Sequence, residues 1–237
     1  MLEEKVVEKA NEYARTHKKE IASELTDVSV FPPDAEPVSV FMAGSPGAGK
    51  TESSQNLIKE LARDGRSVLR IDPDELRSRF EDYTGANSHL FQGATTIVAE
   101  YMHDCALSNR QSFVFDGTLS NYEKSRENIL RSLKRKRLVQ IIYVYQNPLM
   151  AWEFVKAREL REGRRVPKES FINQYFQARA NVNRLKAEFG KDIKVDLIVK
   201  NLDGSDSLQK LNIDQIDRYI PERYSEDVLN EKLVEKS

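Results

Sequence analysis

The sequence predicts an α/β fold, a mainly parallel sheet covered by helices on both faces in three layers, with a helical extension at its N-terminus. Three observations predict it. Five short apolar runs, rich in β-branched and aromatic residues, recur along the chain. Stretches of roughly 10–20 residues with helical periodicity separate them, as in βαβ crossovers. The first apolar run passes into its helix through a glycine-rich turn.

Residues 2–25 read as a helix, because Val6, Ala10, Ala14, Ile21 and Leu25 fall near one face with Lys and Glu elsewhere. VFPPDAEP follows, and Pro32, Pro33 and Pro37 stop a helix and stiffen a linker. The expected division is therefore a helical extension and linker over 1–35 and a main domain over 36–237. Strands are expected at VSVFMAG (38–44), SVLRID (67–72), SFVFDG (112–117), LVQIIYVYQ (138–146) and VDLIVKN (195–201). Helices are expected over 50–63, 90–108, 121–134, 148–161 and 168–189. The final DVLNEKLVEKS reads as a short amphipathic helix. No internal repeat or low-complexity segment interrupts this order.

At roughly 150 residues per domain, a chain of 237 residues holds one large domain, or one with an appendage. Hydrophobic residues make up 39%, enough for a core, and the formal net charge is −1. So even a balance gives no electrostatic case for nucleic acid or for an anionic membrane surface. Cys105 is the single cysteine, so no intrachain disulfide can form. MLEEKVVEKANEY lacks the basic start and apolar core of a signal peptide. No apolar run approaches the roughly 20 residues that span a bilayer. A reducing, ATP-rich cytoplasm is the expected compartment.

The strongest signal is Gly44-Ser45-Pro46-Gly47-Ala48-Gly49-Lys50-Thr51, a full match to G-x-x-x-x-G-K-[ST]. A chance glycine-rich turn would not need the strand before it and the helix after it. Glycines let the backbone curl so that its N–H groups point at phosphate oxygens. The helix N-terminus adds partial positive charge. Lys50 can neutralise the β- and γ-phosphates of ATP, and the Thr51 hydroxyl can ligate Mg²⁺.

In open α/β sheets, ligands sit at the carboxyl ends of the strands. Asp72 and Asp74 follow the second strand, and Asp116 closes the third. Asp116 suits a Mg²⁺ carboxylate. Asp72 or Asp74 could take an acceptor's proton. Both could equally be turn or cap residues before a helix near Glu75. In an extended segment the two point opposite ways. Arg158, Arg161, Arg164 and Arg165 cluster around Gly163 and end at Pro167, as in a lid near 158–168 that closes on phosphate. The plain alternative is an exposed basic helix end. LKRKRL (133–138) reads as a solvated helix end, His17, His89 and His103 lack metal-site spacing, and Cys105 and Trp152 read as packing.

In this order, F-M-A-G-S-P-G-A-G-K-T, I-D-P-D-E-L-R, F-V-F-D-G-T and R-E-L-R-E-G-R-R-V-P resemble the zeta toxin family of P-loop kinases, over most of residues 38–201. The resemblance implies ATP-dependent phosphorylation of the sugar 3′-hydroxyl of UDP-N-acetylglucosamine or a related UDP-sugar. That reaction would block cell-wall precursor synthesis, and a cognate antitoxin would restrain it. By position it implies Lys50 and Thr51 at the nucleotide and Mg²⁺, and Asp74 as catalytic base. It implies Glu100 and Thr118 near the sugar, Asp116 at the acidic position before Gly117-Thr118, and Arg158 and Arg164 on the transferred phosphate. Leu119-Ser120-Asn121 stands where some members carry a substrate-contacting arginine, and the Arg158–Arg164 spacing implies a tight lid. Residues 2–25 could also mask the ATP site in cis. A kinase for an antibiotic, nucleoside or polynucleotide end would show nearly the same residues. A nucleotide-gated ATPase is the rival of another class, and the guanine motif N-K-x-D is absent from the sequence.

Overall fold

Strand side chains alternate between the two faces of a sheet, and VSVFMA does so between two apolar layers. In β1 (Val38–Ala43), Val40 and Met42 join one buried cluster, which receives Leu57, Ile58 and Leu61 of α2 (Lys50–Arg63). Phe41 and Ala43 join a larger cluster on the other face. The computed structural model describes residues 2–220 and 223–234. Around β1 it places β2 (Leu69–Ile71), β3 (Phe113–Phe115), β4 (Leu138–Tyr145), β5 (Ile193–Lys200) and β6 (Asp206–Lys210), in the order β2-β3-β1-β4-β5-β6. The first five are mutually parallel, with Phe41 level with Phe115 and Ile141, and β6 adds antiparallel to β5.

The larger face is covered by α1 (Leu2–Leu25), α3 (Gln92–Ser108), α4 (Tyr122–Lys134), α5 (Pro148–Glu162) and α6 (Lys168–Phe189). Phe113 and Phe171 are fully buried there, each contributing roughly 1.5–3 kcal/mol. Helix α1 packs on α3, and its Ala10, Ala14, Ile21 and Ala22 belong to the same cluster as Val98, Ala99 and Met102. The short alanines let the two backbones approach closely. Loop residues cap the helices that follow the sheet. Asn121 accepts from the Lys124 N–H (3.0 Å) to start α4, and Asn147 accepts from the Leu149 N–H (2.9 Å) to start α5, whose first residue is Pro148. The closing α7 (Glu226–Lys232) is capped by Ser225.

Three elements differ from expectation. The third strand spans only Phe113–Phe115 of the six residues expected. The second strand has three residues, because the chain turns at Asp72, whose Oδ1 accepts from the Asp74 N–H (2.8 Å). Strand β6 was not expected, since all five of its residues are exposed and carry no apolar alternation. Of the helix expected at the C-terminus, residues 235–237 lie outside the described residues. No helix among the described residues is long and apolar enough to cross a membrane.

Candidate active site

The carboxyl ends of the strands open into a cleft of about 990 Å³. The turn from β1 into α2 forms one wall. A Cβ on Gly44 would meet the Val144 carbonyl oxygen at 2.3 Å, and one on Gly47 the Ala151 oxygen at 2.1 Å. The loop therefore lies against β4 and α5 closer than any side chain permits. Residues 46–51 line the cleft, while Gly44 and the buried Ser45 support them from behind. Lys50 Nζ donates to the carbonyls of Gly44 (3.0 Å) and Ser45 (2.7 Å). Burial pushes Lys50 down to about 8, against the opposing pull of Asp116 and Asp74.

The strand-end acids form two sets. Asp72 and Asp116 share Arg70: its Nη2 donates to Asp72 Oδ2 (2.5 Å) and to Asp116 Oδ2 (2.7 Å), which also accepts from Ser54 Oγ (3.0 Å). Burial, with Asp116 and Asp74 nearby, pushes Asp72 up to about 7 although Arg70 opposes it. Asp72 is thus both a turn residue and part of the cleft lining. Asp74 points elsewhere. Its Oδ1 accepts from Arg77 Nη1 (2.5 Å), and its Oδ2 pairs with Arg164. Burial alone would raise Asp74, but Arg164, Arg77 and Arg158 outweigh it and hold the carboxyl below its usual range.

Helix α5 ends at Gly163, and the arginine segment then crosses the cleft. Arg158 is tied to Glu162 (2.6 Å) and lines the cleft, and Arg164 reaches Asp74 from the far side. Phosphate-loop cation, strand-end acids and the arginines around Gly163 therefore meet in one space, able to neutralise a polyphosphate and to accept a proton beside it.

A zeta toxin family model matches residues 21–227 of this chain. The chain belongs to the zeta toxin family. It is a phosphotransferase of the kinase type. Among solved structures, a toxin of the PezAT chromosomal toxin–antitoxin system of the human pathogen Streptococcus pneumoniae superposes with a TM-score of 0.62 at 15% identity, over 93% of this chain and 86% of that one. The AvrRxo1-ORF1:-ORF2 structure with ATP gives a TM-score of 0.62 at 18% identity, over 92% and 72%. At these identities the likeness is one of fold. No curated protein matches the chain.

The residues suggested by the zeta toxin resemblance do not all converge. Thr118 lines the cleft, its Oγ1 lies 2.8 Å from Ser120 Oγ, and its carbonyl accepts from the Gly44 N–H (3.3 Å). Leu119, at φ 54, is held in the left-handed region, where Asn181 Nδ2 donates to its carbonyl (2.9 Å). That turn brings Ser120 to the lining of the cleft. Glu100 is placed differently from expectation: it is not among the cleft-lining residues. On α3 it is bound by Arg131, by Lys124 (3.1 Å) and by Asn128 (3.1 Å) of α4. Helix α1 contributes no lining residue among the described residues and packs on α3 instead. Sequence reasoning missed Arg77 and Lys200. Arg77 follows Asp74 by three residues, one turn of helix, and that spacing was the available signal. Lys200 closes the last parallel strand, lies 3.2 Å from a Cβ placed on Gly49, and pairs with Asp206 (2.6 Å) of the unforeseen β6.

Proposed function

We propose that the chain transfers the γ-phosphoryl group of ATP to the 3′-hydroxyl of the sugar in UDP-N-acetylglucosamine or a related UDP-sugar, and so blocks cell-wall precursor synthesis. One observation carries the reading. Lys50 of the phosphate loop and the carboxylate of Asp74 face the same cleft, and a lid arginine already reaches that carboxylate.

The loop N–H groups and Lys50 would bind the β- and γ-phosphates, Lys50 exchanging its carbonyl partners for phosphate oxygens. The acceptor oxygen attacks the γ-phosphorus, the bond to the β–γ bridging oxygen breaks, and Asp74 takes the acceptor's proton. Arg164, drawn from Asp74 to the incoming phosphate, and Arg158 would stabilise the charge that spreads over the transferred group. Thr118 and Ser120 offer hydroxyls to the acceptor. Thr51 and Asp116 fit Mg²⁺: both give hard oxygen donors beside the phosphate loop, and among the described residues no cage of three or more His, Cys, Asp or Glu is formed. That suits an ion that keeps waters and shares phosphate oxygens. When bound, it neutralises phosphate charge.

The toxin–antitoxin system among its structural neighbours supports a protein antitoxin as partner. The proposed reaction consumes ATP and a nucleotide sugar, which supports the cytoplasm as its compartment. The test is transfer from labelled ATP to UDP-N-acetylglucosamine with Mg²⁺, for wild type and Asp74→Asn. The expected result is a phosphorylated sugar nucleotide, formed about 10²-fold or more slowly by Asp74→Asn. ATP binding without product would discard UDP-N-acetylglucosamine and leave a related UDP-sugar or another hydroxyl acceptor. Full turnover by Asp74→Asn would discard Asp74 as base.

A further inference from the structure

Arg77 lies inside the I-D-P-D-E-L-R motif, and no step above uses it. It is 3% exposed. Removing a guanidinium from water is costly, and an apolar side chain of its size would often fill such a position with equal or greater stability. Its Nε finds no hydrogen-bond partner, so the site does not satisfy the whole guanidinium. What the geometry does satisfy is direction. Nη1 donates to Asp74 Oδ1 (2.5 Å), and Nη2 donates to Gln92 Oε1 (3.0 Å) in the first turn of α3. Arg164 comes from the lid to the other oxygen, Oδ2. One oxygen of Asp74 is therefore held by the scaffold and the other by a segment that must yield to substrate. Lys50, Asp72 and Arg158 are the other charged groups interacting with Asp74.

We propose that Arg77 is the positioning residue for Asp74: anchored through Gln92 to α3, it fixes Oδ1 and so presents Oδ2 to the lid and then to the acceptor hydroxyl. The inference rests on the reading of Asp74 as the base. Arg77 borders the cleft, but its hydrogen bonds go to Asp74 and Gln92, and it acts through the aim of the carboxylate.

Two measurements test it. In the transfer assay with UDP-N-acetylglucosamine, Arg77→Met should lower kcat by about 10²-fold, the scale of a misplaced reacting group, and leave KM for ATP within about threefold. Arg77→Lys, which keeps the charge without the fork, should recover part of the loss. In an Asp74→Asn background, Arg77→Met should cost little more, because both act on one carboxylate. Losses that multiply in the double variant, or an Arg77→Met enzyme with normal kcat, overturn the proposal. Full activity in Asp74→Asn overturns the base reading and this inference with it. An inactive Asp74→Asn beside a normal Arg77→Met overturns the inference alone.

The second measurement needs no acceptor. Without nucleotide, trypsin should cut after Arg164 and Arg165 faster in Arg77→Met than in wild type, because Asp74 no longer holds the lid arginine. General unfolding would open sites throughout the chain. Unchanged cleavage at those two positions overturns the proposal, and this result decides alone if wild type transfers nothing to the sugar.

Discussion

Asp74 and Glu100 are both partly buried carboxylates bound by arginine, yet they stand in unlike company. The partners of Asp74 come from its own turn and from the segment after α5, and the carboxylate lines the cleft. The partners of Glu100 all come from α4, where Arg131 also pairs with Asp104 (2.5 Å) and lies 3.0 Å from His103 Nδ1. His103 is fully enclosed against Phe41, Phe113 and Phe115. One cluster takes a partner from the segment after α5, and the other ties α3 to α4 through side chains alone. The chemistry of the pairs is the same. What separates a reaction site from a brace is whether a partner can leave.

The sharpest way to break the comparison is at the phosphate loop. Lys50→Met should lower phosphoryl transfer by about 10³-fold, the upper range for one preorganised electrostatic group. It should not lower the urea midpoint, because a partly buried cation is replaced by an apolar chain of similar length. Transfer within tenfold of wild type would remove Lys50 from the reaction. Arg131→Met should behave in the reverse way. It leaves Glu100, Asp104 and Asn128 without their shared cation, so the expected loss is about 3 kcal/mol of unfolding free energy, read from urea denaturation. Its kcat at a temperature where it stays folded should match wild type. A catalytic defect without a stability defect would show that the second cluster is no brace.

The sheet and the phosphate loop were legible in the sequence because their signals are local. β-branched runs, alternation across VSVFMA and the spacing of Gly44, Gly49 and Lys50 need no knowledge of distant residues. The arginine segment was legible for the same reason, since Arg158 and Arg164 sit on either side of Gly163. Glu100 shows where local reading stops. Its place in the helix before FVFDG was visible, but Arg131 lies on the next helix, and only packing of α3 on α4 joins them. Strand β6 and its hold on Lys200 were invisible, because an exposed edge strand carries no apolar period. Asp72 and Asp74 differ by two positions, and the sequence left both roles open. Arg70 and Arg77 divide them, Arg77 from one turn beyond Asp74 and Arg70 through a contact with Asp72 that no helical spacing supplies.

His103, beside the Glu100 cluster, and Asp72, in the Arg70 set next to Asp74, should respond to pH with opposite signs. Burial pushes His103 down to about 2, with Arg131 adding to the effect. Below its ordinary value of 6.5, the unfolded chain takes up a proton that the folded chain refuses, so acidification destabilises the fold. Asp72 is raised from 3.8 to about 7. Between those values the folded chain holds a proton that the unfolded chain has lost. Stability from Asp72 is therefore full below 3.8 and disappears as pH rises through about 7. Each contribution has a limiting slope of about 1.4 kcal/mol per pH unit, and they oppose each other across the acidic range. In Mg²⁺-free buffer from about pH 5 to 6.5, Asp72→Asn should make unfolding more acid-sensitive than wild type, and His103→Gln less so. Equal pH slopes in the two variants would refute the assignment of opposite signs.

The smallest effect is the most direct test of Glu100. Glu100→Gln keeps the shape and the hydrogen bond from Asn128 but removes the charge that faces Arg131 and Lys124. The pair with Arg131 is mostly enclosed, at 25% and 16% side-chain exposure, while Lys124 is at the surface. The loss should be about 1 kcal/mol in urea denaturation, between the worth of an exposed pair and that of a buried one. The kcat for sugar-nucleotide phosphorylation should stay within about threefold, since nothing that Glu100 touches lines the cleft. A fall in kcat beyond about tenfold at normal stability would mean that α4 moves when the acceptor binds and frees Glu100 to meet it. Lys124→Met would then separate the cases. If α4 stays put, it should leave kcat unchanged; if α4 releases Glu100, loosening that helix should change kcat together with KM for the acceptor.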